Sequence, residues 1–245
     1  MEGFHYYNMF ETKGLEYILT IIFFALLIPF WMILNKKSAI GRRIKEALGV
    51  LSLKRLKIPM GIYHSANHLW MYLSKAGIAR IGFDDLLMHI TGEITVVPVK
   101  QPGETIKKGD LIAYMNQKGK QLKVFSPISG SIKQFNTILE NETETITSDP
   151  YGNGWMYEIK PSNWIAETSQ CFVAEDAINW TSSELVRFKD FLSASLWKNN
   201  ATSSLMALQD GGELREHLMS ELPQEIWDDF QNEYLKDFSE HKNNE

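Results

Sequence analysis

The chain has 245 residues, 44% of them hydrophobic, enough for one or two packed domains. A single cysteine, Cys171, excludes an internal disulfide. The formal charge of −5 is the sum of four unlike blocks, and their order excludes a broad basic surface for nucleic acid. Residues 1–34 carry one Lys and three Glu, and residues 35–60 eight Lys or Arg and one Glu. Residues 61–165 carry ten of each sign, and residues 166–245 six basic against sixteen acidic groups.

The first element is apolar. From Ile18 to Leu34 no residue is charged. Twenty helical residues span roughly 30 Å, the thickness of a bilayer's hydrocarbon core, so residues 15–34 are expected to form a transmembrane helix. Pro29 is tolerated in such a helix, and Tyr17 and Trp31 sit toward its ends, where amphipathic rings favour the interface. A cleaved signal peptide would need a basic segment ahead of the apolar run and small residues behind it. Here Glu2, Glu11 and Glu16 precede, and Asn35-Lys36-Lys37 follows. The basic collar of Lys36, Lys37, Arg42, Arg43 and Lys45 places the C-terminal side of the helix in the cytoplasm. The expected arrangement is single-pass in the inner membrane, with residues 1–14 outside and the bulk of the chain cytoplasmic. The sequons at Asn179 and Asn200 are then chance matches.

Within residues 35–58, Ile40, Ile44, Ala47, Leu48 and Leu51 recur at helical spacing between the basic residues. This reads either as an amphipathic helix on an anionic leaflet or as a charged connector. From Ile58 the texture changes to short apolar runs between Pro and Gly turns. Strands are expected at 69–73, 78–81, 94–99, 111–115, 122–125, 131–135 and 155–159, with one helical turn at 84–89. The tail, 166–245, reads as an acidic helical extension. Leu185, Phe188, Leu192 and Leu196 form a helical stripe. Leu214 and Leu218 begin a shorter helix after Gly211-Gly212. Pro223 leads into Ile226, Trp227, Phe230, Tyr234 and Phe238. That aromatic stripe would either pack on the β domain or dock a partner.

The order of the pieces in 59–165 resembles the glycine cleavage H-protein family. His68-Leu69-Trp70 followed by Gly77-Ile78-Ala79-Arg80-Ile81-Gly82 is similar to the family's opening, and Ile90-Thr91-Gly92-Glu93-Ile94 to its leucine-glycine-aspartate strand. Val124-Phe125-Ser126-Pro127-Ile128-Ser129-Gly130 matches a second element, and Asp149-Pro150-Tyr151-Gly152-Asn153-Gly154-Trp155 a third, more specific one. The resemblance implies a mainly β barrel-sandwich hybrid of lipoyl type, with a hairpin that presents a lipoyl-bearing lysine.

At that hairpin the sequence departs from the family. Counting back from Pro127, the family's lysine falls on Gly119, between Lys118 and Lys120. Neighbouring side chains at a hairpin tip point to different faces, so an offset of one residue redirects the arm. Lys118 and Lys120 are the candidate attachment sites if the arm is kept. The expectation is an unmodified hairpin with no cofactor, and lipoylation is the alternative.

Other chemistry is thin. His64 and His68 have the spacing of a helical metal pair, but Pro59 and Gly61 argue against a helix and no third ligand is near. No metal site, phosphate loop or catalytic constellation is expected, and the chain is read as a non-enzyme. Three classes remain: a membrane-tethered adaptor that docks a protein partner, a lipoyl carrier, and an efflux-type membrane-fusion adaptor. The last needs a long helical hairpin inside the lipoyl motif, and none is present between Leu111 and Pro127.

Overall fold

The computed structural model describes residues 9–35, 51–199 and 214–235. The chain divides into two compact units, residues 1–48 and residues 49–245.

The first unit contains helix α1, Met9–Asn35, 27 residues with Pro29 inside it. Its large apolar side chains from Tyr17 to Trp31 are all exposed, between 42% and 69%. Among the described residues no helix is long and apolar enough to cross a membrane. The expected span over 15–34 is therefore not met there. The expected juxtamembrane helix falls mostly on residues 36–50, outside the described residues. Its last turn is not helical. Leu51 is buried in the core of the second unit and donates its N–H to the Leu214 carbonyl at 2.7 Å. The Lys57 N–H then bonds to the Asp85 carboxylate at 2.7 Å.

The second unit is a two-sheet β structure with helices at its edges. Its strands are β1 (Tyr63–His64), β2 (Leu69–Leu73), β3 (Ala79–Phe83), β4 (Thr95–Pro98), β5 (Thr105–Ile106), β6 (Leu111–Gln117), β7 (Lys120–Phe125), β8 (Gly130–Phe135), β9 (Tyr157–Pro161) and β10 (Phe172–Val173). Helix α2 (Asp85–Thr91) lies between β3 and β4, capped by the Asp84 carboxylate, which accepts from the Leu87 N–H at 2.8 Å. Two short helices, α3 (Ile138–Asn141) and α4 (Glu144–Ser148), follow β8, and α5 (Trp164–Thr168) follows β9. Helix α6 (Glu175–Lys198), a 3₁₀ turn (Leu218–Glu221), α7 (Gln224–Asp229) and one π turn (Phe230–Tyr234) complete the unit.

One sheet has seven strands in the order β10-β1-β2-β3-β9-β8-β5, and the other three in the order β4-β6-β7. Alternation along the strands puts Met115, Ala113, Leu122 and Val124 into the core from one sheet, and Met71, Ile81 and Ile159 from the other. Gly82 is required by close approach: a Cβ there would lie 2.8 Å from the indole nitrogen of Trp70, its register partner. The indole N–H donates to the Pro150 carbonyl at 2.9 Å, joining the second strand to the Asp149–Trp155 turn. In that turn the Asp149 carboxylate accepts from the Asn153 N–H at 2.8 Å and its carbonyl from Gly154 at 2.9 Å. The spacing of the Asp-Pro-Tyr-Gly-Asn-Gly-Trp motif is thus a turn requirement.

The tail belongs to the same compact unit as the sheets. Leu185, Phe188, Leu192 and Leu196 are buried, as are Ile226, Trp227, Phe230 and Tyr234. Of the two readings of the aromatic stripe, packing on the β domain is the observed one. The helix expected to begin at Leu214 is instead the single 3₁₀ turn, entered through His217 in the left-handed conformation (φ 58°).

Candidate functional site

Strands β6 and β7 form the hairpin on which the sequence reading turns. Gln117 pairs with Lys120, leaving Lys118 and Gly119 as a two-residue loop. Both have positive φ, 46° and 84°, the geometry of a type I′ turn. Glycine suits this at Gly119, where a Cβ would meet nothing within 4 Å. Lysine at Lys118 is unusual, because left-handed φ costs an L-residue with a Cβ about 1–2 kcal/mol.

The two candidate lysines are not equivalent. Lys118 is exposed, and among the described residues no hydrogen bond or ion pair holds its amine. Lys120 is half-buried, and its Nζ donates to the carbonyls of Met219 (3.2 Å), Ser220 (3.0 Å) and Leu222 (2.8 Å). The same ammonium lies 4.8 Å from the centre of the Trp227 ring. These carbonyls terminate the 3₁₀ turn, where the backbone dipoles favour a cation. Burial lowers the Lys120 pKa, and the neighbouring charge of Lys118 adds to the shift. The Trp227 indole donates to the same Met219 carbonyl at 2.8 Å, so lysine, turn and indole form one latch.

The tail also covers the flank of the hairpin. The Gln231 side-chain carbonyl accepts from the Lys123 N–H at 2.6 Å. Gln231 and Leu235 close over a crevice floored by Leu69, Phe83, Leu87 and Leu122, leaving a space of about 20 Å³, room for one water.

Behind that flank lies a buried charge network that no sequence motif announced. His68, fully buried with φ 60°, places Nδ1 2.8 Å from the Asp84 carboxylate and Nε2 3.4 Å from Glu184. Burial would depress the imidazole, but Asp84 and Glu184 outweigh it and raise the pKa to about 9. Burial likewise works against the Glu184 carboxylate, and His68 with Arg187 holds it down at about 2. Arg187 donates to the Tyr234 carbonyl at 3.0 Å and lies 3.9 Å from the centre of its ring, on which His68 also stacks at 5.3 Å. The network therefore ties β2, α6 and the π turn together. His64, the other member of the sequence pair, is not a ligand partner. Its ring packs on Tyr151 and Trp180, and burial lowers its pKa. Among the described residues no cluster of His, Cys, Asp or Glu could hold a metal ion.

Glu184, Arg187, Tyr234 and Trp227 were read from the sequence only as parts of stripes or not at all. The only signal available was three charged or aromatic residues at i, i+3 and i+4 spacing along α6, which is commonplace on a solvated helix.

Against known proteins, the family described as Glycine cleavage H-protein matches residues 62–184, ending within α6 at Glu184. The glycine cleavage system H protein of Psychrobacter cryohalolentis is 32% identical over 122 residues, which cover 50% of this chain and 96% of that protein. The H protein of another Psychrobacter strain is 33% identical over 106 residues, covering 43% of this chain and 84% of that one. A solved H protein from Mycobacterium marinum is 27% identical, with a TM-score of 0.39 over 43% of this chain and 87% of its own. Because the match covers half of this chain and nearly all of a relative, the two-sheet domain with its apical hairpin carries a family identity: this chain belongs to the glycine cleavage H-protein family.

Proposed function

We propose that this chain is a non-catalytic docking module of the H-protein type, carrying no lipoyl group, and tethered to the inner membrane through α1 with its bulk in the cytoplasm. The observation that carries the reading is Gly119. The residue at the family's attachment position is a glycine at the hairpin apex, and Lys120 beside it is committed to the tail. An amine that serves three carbonyls and an indole face cannot be handed to a ligase without unlatching the tail. The partner is then a protein at the membrane face that reads the domain's surface rather than a swinging arm.

The tether is supported by the uncovered apolar side chains of α1. A helix that is apolar all round needs protein or lipid around it. The basic residues from Lys36 to Lys45 would set its orientation. Fractionation and a C-terminal reporter test this part: an outward-facing reporter, or a chain recovered wholly without membranes, overturns it.

A second reading has one observation in its favour. Lys118 is exposed, at the apex, and held in a strained left-handed conformation, as an attachment residue would be. Intact mass with peptide mapping, on protein made in cells that contain a lipoyl ligase, decides between the two. Unmodified Lys118 and Lys120 are expected, and a lipoyl adduct on either converts the chain into a carrier.

A further inference from the structure

The first described residues of the second unit, 51–57, strap the start of the tail to α2. The Leu51 N–H bonds to the Leu214 carbonyl, Arg55 Nε lies 2.9 Å from the Glu216 carboxylate, and the Lys57 N–H bonds to the Asp85 carboxylate at 2.7 Å. His89, in the last turn of α2, stands where the three segments meet. Its Nδ1 lies 3.2 Å from Glu216 of the tail and its Nε2 3.4 Å from Asp85 of its own helix. Its carbonyl accepts from the His217 N–H at 2.6 Å, so the tail is joined to the backbone of the same residue.

The charges at this junction balance only when His89 is protonated. Asp85 and Glu216 supply two negative charges and Arg55 one positive. The Lys57 ammonium is turned away, onto the Ser148 carbonyl at 3.2 Å. Tyr151, whose hydroxyl accepts from the Asp85 N–H, is pushed up by burial and stays neutral. Loss of the His89 proton therefore leaves one unbalanced negative charge between two largely covered carboxylates, which a folded interior tolerates poorly. His89 Nδ1 and Glu216 Oε1 form no aligned hydrogen bond, so their attraction is one of charge and a neutral imidazole would not keep it. Burial works to lower the His89 pKa, and Asp85 and Glu216 outweigh it. The contribution of His89 is thus full below pH 6.5 and lost as the pH rises through its raised folded pKa. Unlike His68, the ring is 23% exposed and exchanges its proton with solvent directly.

We propose that His89 is the pin of a proton-operated strap. Protonated, it holds residues 51–57 and the start of the tail together on α2. Deprotonated, it lets both loosen, and with them the carbonyls of Met219, Ser220 and Leu222 that hold Lys120. Alkaline conditions then free the flank of the hairpin while the sheets stay folded. Every group involved lies in the second unit, so the device does not depend on α1 entering a membrane.

The test is hydrogen exchange by mass spectrometry on the full chain in detergent, with rates corrected for their intrinsic pH dependence. Protection of peptides 51–57 and 214–222 should fall at least tenfold between about pH 6 and about pH 9, while β6 stays protected. His89→Gln should show the low protection already at about pH 6, with no further fall, and His68→Gln should keep the pH-dependent fall. In the unsubstituted chain the midpoint of the fall should match the His89 imidazole titration read by NMR. At a fixed pH near 7, acetylation of Lys120 relative to Lys118 should rise at least threefold in His89→Gln. Protection flat with pH, a fall that survives His89→Gln, a midpoint away from the imidazole titration, or a fall shared equally by β6 in His68→Gln overturns the pin. An unchanged Lys120 ratio overturns its reach to the latch.

Discussion

The apex of the β6–β7 hairpin and the His68 network lie in one compact unit and solve opposite problems. At the apex Lys118 and Gly119 are exposed and strained at positive φ, and among the described residues no hydrogen bond or ion pair holds the Lys118 amine. At the network every charge has a partner: His68 lies between two carboxylates, Glu184 meets both His68 and Arg187, and Arg187 reaches Tyr234. The first pattern is what a recognition surface requires, because unsatisfied groups are available to a ligand. The second is what a joint requires, because a buried charge is tolerated only when it is fully paired. Lys120 lies between the two. It sits one residue from the apex, and its amine has been drawn into the joint.

This contrast can be broken first at the joint. Glu184→Ala leaves His68 and Arg187 facing an apolar gap and should cost about 3–5 kcal/mol, read as a lowered urea midpoint. Trp227→Ala should cost a similar amount, about 3–5 kcal/mol, by emptying the core beneath the latch. A loss under about 1 kcal/mol for either would mean that the tail is not part of the cooperative unit.

The joint should also be pH-dependent, with a definite sign. The His68 pKa is raised in the folded state from 6.5 to about 9. Its contribution is therefore full below pH 6.5 and lost as the pH rises through about 9. The Glu184 pKa is lowered from 4.5 to about 2, so its contribution is full above pH 4.5 and lost as the pH falls through about 2. His64, lowered by burial, works against the fold below pH 6.5, where the unfolded chain takes up the proton. Thermal unfolding should peak near pH 6.5 and decline toward pH 9, and the alkaline decline should shrink in His68→Gln, with His89, raised by Asp85 and Glu216 against burial, supplying the remainder. A flat profile in the native chain would show that the network carries no net charge effect.

Smaller effects separate the two lysines. Lys120→Met removes a charged donor from three carbonyls and should cost about 1.5–3 kcal/mol. Lys118→Met should fall within about 0.5 kcal/mol of the native chain. Equal effects would erase the distinction between apex and joint. Gly119→Lys should cost about 1 kcal/mol through its positive φ, since the added Cβ meets nothing within 4 Å. It should also gain a lipoyl adduct when co-expressed with a ligase, which peptide mapping reads. Failure to gain one would show that the hairpin has lost more than its lysine.

Much of the β domain was legible because its signals are local. Short apolar runs between Pro and Gly turns marked the strands of 69–73 and 111–115, the helical turn at 84–89 marked α2, and the spacing in Asp149–Trp155 is a turn that can be drawn from its residue types. The hairpin loop was legible for the same reason, since Lys118-Gly119 between paired runs leaves few conformations. The network was not. His68, Glu184 and Tyr234 are separated by more than a hundred residues at the extremes, and nothing in a helical stripe says which charged residue will turn inward.

By itself, then, the sequence determined the strand pattern, the apical turn and the uncharged run of 18–34. Each of these depends on neighbours within a few residues, where sterics and periodicity act without reference to the rest of the chain. Only the tertiary structure decided that the aromatic tail packs inward and that Lys120 is spent on holding it. It alone left Lys118 exposed, with no hydrogen bond or ion pair to its amine among the described residues. Those outcomes depend on which distant groups share a low-dielectric interior, and that is set by packing rather than by order along the chain.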